Sequence, residues 1–173
     1  MLPVLIVDDV REDALLAQRV IAQCRIQNPV HAFSKGEECV NYFRGLPPHQ
    51  GRVLPCLVLL DMVMAPMSGL EVLKQLKRLP EAVGSVLVML SGMMDLKAIH
   101  AGYQLGAQTF LVKPLFVEDM MQMLRAIRTL RIDSVPKGFV LSLATQATVP
   151  GLPPLMEESS PMSQRPPGLQ EGS

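Results

Sequence analysis

Five residues with side chains fit for metal or phosphoryl chemistry stand at the ends of apolar runs: Asp8 and Asp9 after VLIV, Asp61 closing CLVLLD, Ser91 after VLVML, and Lys113 after TFLV. Asp61 is the most informative, because an unpaired carboxylate in so apolar a run must be compensated or take up a proton. Three carboxylates gathered at one place repel one another, and a hard divalent cation with oxygen ligands relieves them. Mg2+ suits such a set, since it keeps several waters and bridges carboxylates to phosphate oxygens. Lys113 would then supply a mobile positive charge, Ser91 a hydroxyl donor and Asp61 the nucleophile for a phosphoryl group. Each residue alone also has an ordinary reading. Asp8 and Asp9 could cap a helix, Asp61 could be a satisfied structural acid, Ser91 a turn residue and Lys113 an exposed strand-end lysine. A phosphoacceptor site accounts for them jointly.

Such a site needs elements that bring distant residues to one edge. VLIV, PVHAF, CLVLLD, SVLVMLS and TFLVKP read as short strands. Between them lie helical patterns. REDALLAQRVIAQC puts Leu16, Ala17, Val20 and Ile21 on one face; GEECVNYFRG does the same with Cys39, Val40 and Phe43 and stops at Gly45. Ser34 with Glu37, and Ser68 with Glu71, have capping-box spacing, the second before Leu70, Leu73 and Leu76. DLKAIHAGYQLG closes at Gly106, and VEDMMQMLRAIRTLRI turns Met120, Leu124, Ile127 and Leu130 inward. The pattern is (βα)5 and predicts an α/β fold with a doubly wound parallel sheet covered on both faces. Ligands of such sheets bind beyond the carboxyl ends of the strands, where all five residues fall.

Composition narrows the class. Apolar residues make up 49% of the chain, and sixteen acids balance sixteen bases without a Lys/Arg cluster, which argues against nucleic acid as a partner. The opening MLPVLIV lacks a basic leader region and no stretch is long enough for a membrane span, so a cytoplasmic chain with no membrane partner is expected. Three scattered cysteines, Cys24, Cys39 and Cys56, fit reduced core thiols, and three scattered histidines give no transition-metal set. Seven of the fifteen prolines fall in the last 41 residues. We expect a domain over 1–132 and a Pro-rich, disordered tail over 133–173, with a short docked piece around GFVLSL.

The motifs VLIVDD, LVLLDM, VLVMLSG and GAQTFLVKPL, in this order over roughly residues 3 to 132, resemble the receiver domains of bacterial two-component response regulators. Ser91 lies 30 residues and Lys113 52 residues after Asp61, as in that family. The resemblance implies a flavodoxin-like receiver fold with strand order 2-1-3-4-5. It also implies that Asp61 accepts phosphate from a sensor histidine kinase or phosphotransfer protein. Asp9 would bind Mg2+ directly, Asp8 mainly through water, and the Val63 backbone carbonyl would be a further ligand. Phe110 would be the aromatic switch that responds to Ser91. The long loop GLPPHQGRVLP and the stretch AGYQLGAQTFLVKP look like the single-domain regulators that serve bacterial phytochrome kinases.

A stand-alone signalling switch is thus expected, not an enzyme with exogenous substrates. A docking-only receiver, a phosphatase of the haloacid dehalogenase type and a flavodoxin-like cofactor binder are the alternatives. Two departures from the family pattern stand out. Ala65 and Pro66 replace a proline usually four residues after the phosphoacceptor, although Gly69 is in register, and apolar Val63 and Met93 flank the phosphoryl position. Apolar cover there predicts slow loss of phosphate. The last helix offers Met121, Met123, Arg125 and Arg128 beyond its core face, either for a homodimer or as a solvated face.

Overall fold

The run VLIV forms β1 (Val4–Val7) and is buried throughout, with Val4 and Ile6 in one apolar layer and Leu5 and Val7 in another. Successive strand side chains point to opposite faces, so a strand buried on both must lie inside a three-layer stack. The computed structural model describes residues 1–93 and 95–144. After β1 come α1 (Arg11–Gln23), β2 (Val30–Phe33), α2 (Gly36–Arg44), β3 (Leu57–Asp61), α3 (Gly69–Leu76), β4 (Val86–Ser91), α4 (Leu96–Gln104), β5 (Thr109–Val112) and α5 (Val117–Ala126). The five strands pair in parallel in the order β2-β1-β3-β4-β5, the doubly wound flavodoxin-like sheet predicted above.

Alternation along β3 and β4 builds both cores. Leu57, Leu59, Val88 and Leu90 meet Ala17, Val20 and Ile21 of α1 and Met120 and Leu124 of α5. On the opposite face Val58, Leu60, Leu87 and Met89 meet Val40 and Phe43 of α2 and Val72, Leu73 and Leu76 of α3. Full burial of each such leucine contributes about 1.5–3 kcal/mol before ordering entropy is counted. Register then fixes the edge: Asp61 pairs with Leu90, and Ser91 with Val112, so the carboxyl ends of β3, β4 and β5 lie level. Cys24, Cys39 and Cys56 are buried and free, and burial pushes the Cys56 thiol up to about 12 and the Cys39 thiol higher still, which keeps both from acting as thiolates.

The helix starts differ in one place from expectation. Ser68 and Glu71 form the predicted reciprocal capping box of α3. Before α2 the box is not Ser34 with Glu37; the helix begins at Gly36, so Glu38 is the residue whose carboxylate reaches back to accept from the backbone N–H groups of Ser34 and Lys35.

The chain after α5 is the larger correction. The last helix ends at Ala126 and does not run to Ile132, and Leu130 opens an antiparallel hairpin, β6 (Leu130–Val135) and β7 (Gly138–Leu143). Ile127 and Leu130 are buried as predicted, but the residues beyond them follow a strand pairing rather than a helical face. The boundary expected after Ile132 therefore falls inside β6, while GFVLSL is indeed docked, as β7. Residues 145–173 of the expected tail lie outside the described residues. Met123 belongs to the core rather than to an outer face; Met121 is half-buried, and Arg125 and Arg128 are exposed.

The hairpin is fastened by buried polar groups. The Asn28 side-chain amide donates to the Leu2 carbonyl at 2.7 Å and the Leu141 carbonyl at 2.8 Å, and its oxygen accepts from the Leu141 N–H at 2.7 Å. A buried amide so fully paired holds β7 against the start of β1. Gly138 is required beside it, because a Cβ there would lie 1.9 Å from the Arg25 carbonyl oxygen.

Candidate functional site

β1 delivers Asp8 and Asp9 one and two residues past its end, β3 ends on Asp61, β4 ends on Ser91, and Lys113 follows β5 directly. Asp8, Asp61 and Ser91 are buried and Asp9 is exposed. Carboxylate oxygens of Asp8, Asp9 and Asp61 lie within 4.8 Å of one another. The Lys113 ammonium reaches Asp8 Oδ2 and Asp61 Oδ1, each at 2.8 Å. All four predicted charged residues thus meet at one point, and a cleft of about 640 Å3 opens over it, with Asp61, Val63, Ser91, Met93 and Lys113 in its lining.

Local bonds orient the acids. Asp8 Oδ1 accepts from the Val10 N–H at 2.9 Å, across the turn into α1, which has no side-chain cap of its own. Asp9 Oδ2 accepts from the Ala65 N–H at 3.1 Å, so the unusual Ala65-Pro66 loop holds an acid of the trio. That loop closes where the Gly69 N–H donates to the Met62 carbonyl at 3.0 Å.

Burial raises the Asp61 carboxyl above the usual carboxylate range; the hydrogen bond and charge of Lys113 oppose this, and the charges of Asp8 and Asp9 add to it. For Lys113, burial favours the neutral amine, but hydrogen bonds to Asp13, Asp61 and Asp8 and the charge of Asp61 outweigh it and hold the ammonium well above its ordinary range. Four carboxylates, those of Asp8, Asp9, Asp13 and Asp61, around one ammonium leave the site short of cation, and its ligand atoms are oxygen only. That is the chemistry of a hard-cation site, and the residues fit Mg2+.

The remaining predicted residues sit around this centre. The Ser91 hydroxyl is engaged with the Met93 backbone, donating to its carbonyl and accepting from its N–H. Phe110 is half-buried on β5, its ring at 4.8 Å and edge-on to Tyr103 and packed on Gly102 of α4. Val63 and Met93 are 78% and 79% exposed on the rim. One contact was not predicted from the sequence. Asp13, in α1, places Oδ2 2.8 Å from the Lys113 ammonium. Its signal was its position one helical turn after Asp9, on the helix that opens at the carboxyl end of β1.

The model of the family described as "Response regulator receiver domain" matches residues 4–125. The response regulator Rcp1 of Synechocystis is 24% identical over 132 residues, spanning 76% of this chain and 90% of its own length. Among solved structures, the bacteriophytochrome response regulator AtBRR superposes with a TM-score of 0.65 at 26% identity, covering 72% of this chain and 91% of that one. The response regulator RPA3017, described as acting in red light signaling of R. palustris, superposes with a TM-score of 0.64 at 26% identity, over 84% of this chain and 99% of its own.

Proposed function

The chain belongs to the response regulator receiver domain family, and from that premise we propose that it is a phosphorylation-driven signalling switch with Asp61 as the phosphoacceptor. The observation that carries this reading is the Lys113 ammonium at 2.8 Å from both Asp8 and Asp61, beside a third acid, at the carboxyl end of the sheet. A carboxylate oxygen of Asp61 forms the new O–P bond as the P–N bond of a phosphohistidine on a sensor kinase or phosphotransfer protein breaks. The imidazole leaves with the bonding electrons and takes up a proton. Asp8, Asp9, Asp61 and the Val63 carbonyl would hold Mg2+, which when bound neutralises charge on the acids and on phosphoryl oxygens. Lys113 neutralises the remaining charge and orients the group, so positioning and electrostatics supply the assistance.

Output follows from packing. Ser91 must leave the Met93 backbone to reach a phosphoryl oxygen, and Phe110, half-buried against Gly102 and Tyr103, would turn inward as it does. The likeness to AtBRR, a bacteriophytochrome response regulator, and to RPA3017, described as acting in red light signaling, supports a bacteriophytochrome kinase as the phosphoryl source.

Offering the chain acetyl phosphate with and without Mg2+ tests the reading. A phosphoryl mass is expected only with Mg2+ and not in Asp61→Asn. No adduct would favour the docking-only receiver, and sustained turnover of phosphate esters would favour a phosphatase. A second expectation concerns lifetime. The Val63 side chain offers no polar atom to orient water over Asp61, so Val63→Asn should lose phosphate about three- to tenfold faster, the worth of one hydrogen bond. Decay of the phosphoryl mass after removal of the donor measures this; equal half-lives would refute the role given to the apolar rim.

A further inference from the structure

An ammonium has three N–H donors, and those of Lys113 face three carboxylates, Asp8, Asp61 and Asp13, each at 2.8 Å. No donor is left for a further acceptor. A phosphoryl oxygen on Asp61 lies two bonds beyond the carboxylate oxygen, so the ammonium reaches it only by moving, and movement lengthens its bond to at least one present partner. The three differ in what their loss costs. The side chains of Asp8 and Asp61 are 1% and 5% exposed, so loss of the ammonium costs more there than at a solvated acid. Asp13 is 40% exposed and can be rehydrated at small cost.

We propose that Asp13 is a positioning residue, the exchangeable partner that holds Lys113 in the unphosphorylated chain and releases it to the phosphoryl group. This rests on Asp61 being the phosphoacceptor. Asp13 then opposes phosphorylation by competing for the ammonium, and its release breaks the one side-chain ion pair that ties α1 to the segment after β5 among the described residues.

Beryllofluoride, a phosphoryl mimic that binds carboxylates, tests both levels. With Mg2+ present, Asp13→Asn should bind it about two- to fivefold more tightly than the parent, the worth of a partly exposed ion pair. Glu12→Gln removes an exposed neighbouring charge that makes no such contact and should leave the affinity near the parent value. Equal tightening in both variants would overturn the proposal, because long-range charge alone would then explain it. The 13C carboxylate resonance of Asp13 in the parent should also shift when beryllofluoride binds; an unmoved resonance would mean that the Asp13 to Lys113 bond persists and would overturn it too. If the parent binds no beryllofluoride at all, the phosphoacceptor reading fails, and the inference falls with it.

Discussion

Lys113→Met is expected to destabilise the Mg2+-free chain by about 3–5 kcal/mol at neutral pH, the cost of leaving buried carboxylates without their cation. Methionine keeps most of the apolar stem, so the loss reports charge rather than a cavity. The sign of its pH dependence follows from Asp61. Burial already raises that carboxyl and Lys113 is what opposes the rise, so the variant raises it further. A carboxyl whose folded pKa lies above its unfolded value binds more protons in the folded state, and stability falls as pH climbs through that window. The deficit of Lys113→Met should therefore be small near the ordinary carboxylate pKa, about pH 4, and grow towards neutrality. Mg2+ should recover part of it, since acids freed of the ammonium bind the ion more tightly than in the parent, and tighter binding to the folded state alone stabilises it more. Urea unfolding at the two pH values, with and without Mg2+, measures all three effects. A deficit independent of pH and of Mg2+ would mean that Lys113 contributes by packing alone.

Gly69→Ala should be nearly as damaging without touching a charged group. A Cβ at this position would stand 2.0 Å from the Asp61 carbonyl oxygen and 2.9 Å from both the Asp61 carbonyl carbon and the Met62 Cα. These are backbone atoms at the end of β3, so relief requires α3 to move away from the strand that carries the acceptor. A cost of about 3 kcal/mol is expected, with slower phosphorylation because Asp61 shifts against Lys113. Gly92→Ala is the matched control: among the described residues no atom beyond its chain neighbours lies within 4 Å of its added Cβ, and its stability should stay within about 0.5 kcal/mol of the parent. Equal unfolding midpoints for the Gly69 and Gly92 variants would contradict the close approach of α3 to β3.

The sheet was readable from sequence because its strands are short, continuous apolar runs separated by helical periodicity, a pattern that only a doubly covered parallel sheet buries. The charged centre was readable because Asp61 breaks such a run at a strand end. The end of α5 was not, since Met120, Leu124, Ile127 and Leu130 are buried whether the chain continues as helix or turns into β6, and burial alone does not separate the two. Met123 was placed outside for a related reason: the hairpin and α1 complete a wider apolar layer around α5 than one helix face suggests. Asp13 escaped notice because an acid near the start of a helix is ordinarily a dipole partner. Only the fold shows that Lys113, 100 residues later, stands against it.

The most direct measurement locates the phosphoryl group chemically. Reducing the acetyl phosphate-treated chain with borohydride converts an aspartyl phosphate to homoserine, which peptide mass spectrometry assigns to a position. The account predicts homoserine at residue 61 alone, in amounts that require Mg2+ during phosphorylation. Homoserine at Asp8, Asp9 or Asp13, or a phosphoryl mass with unaltered Asp61, would contradict it.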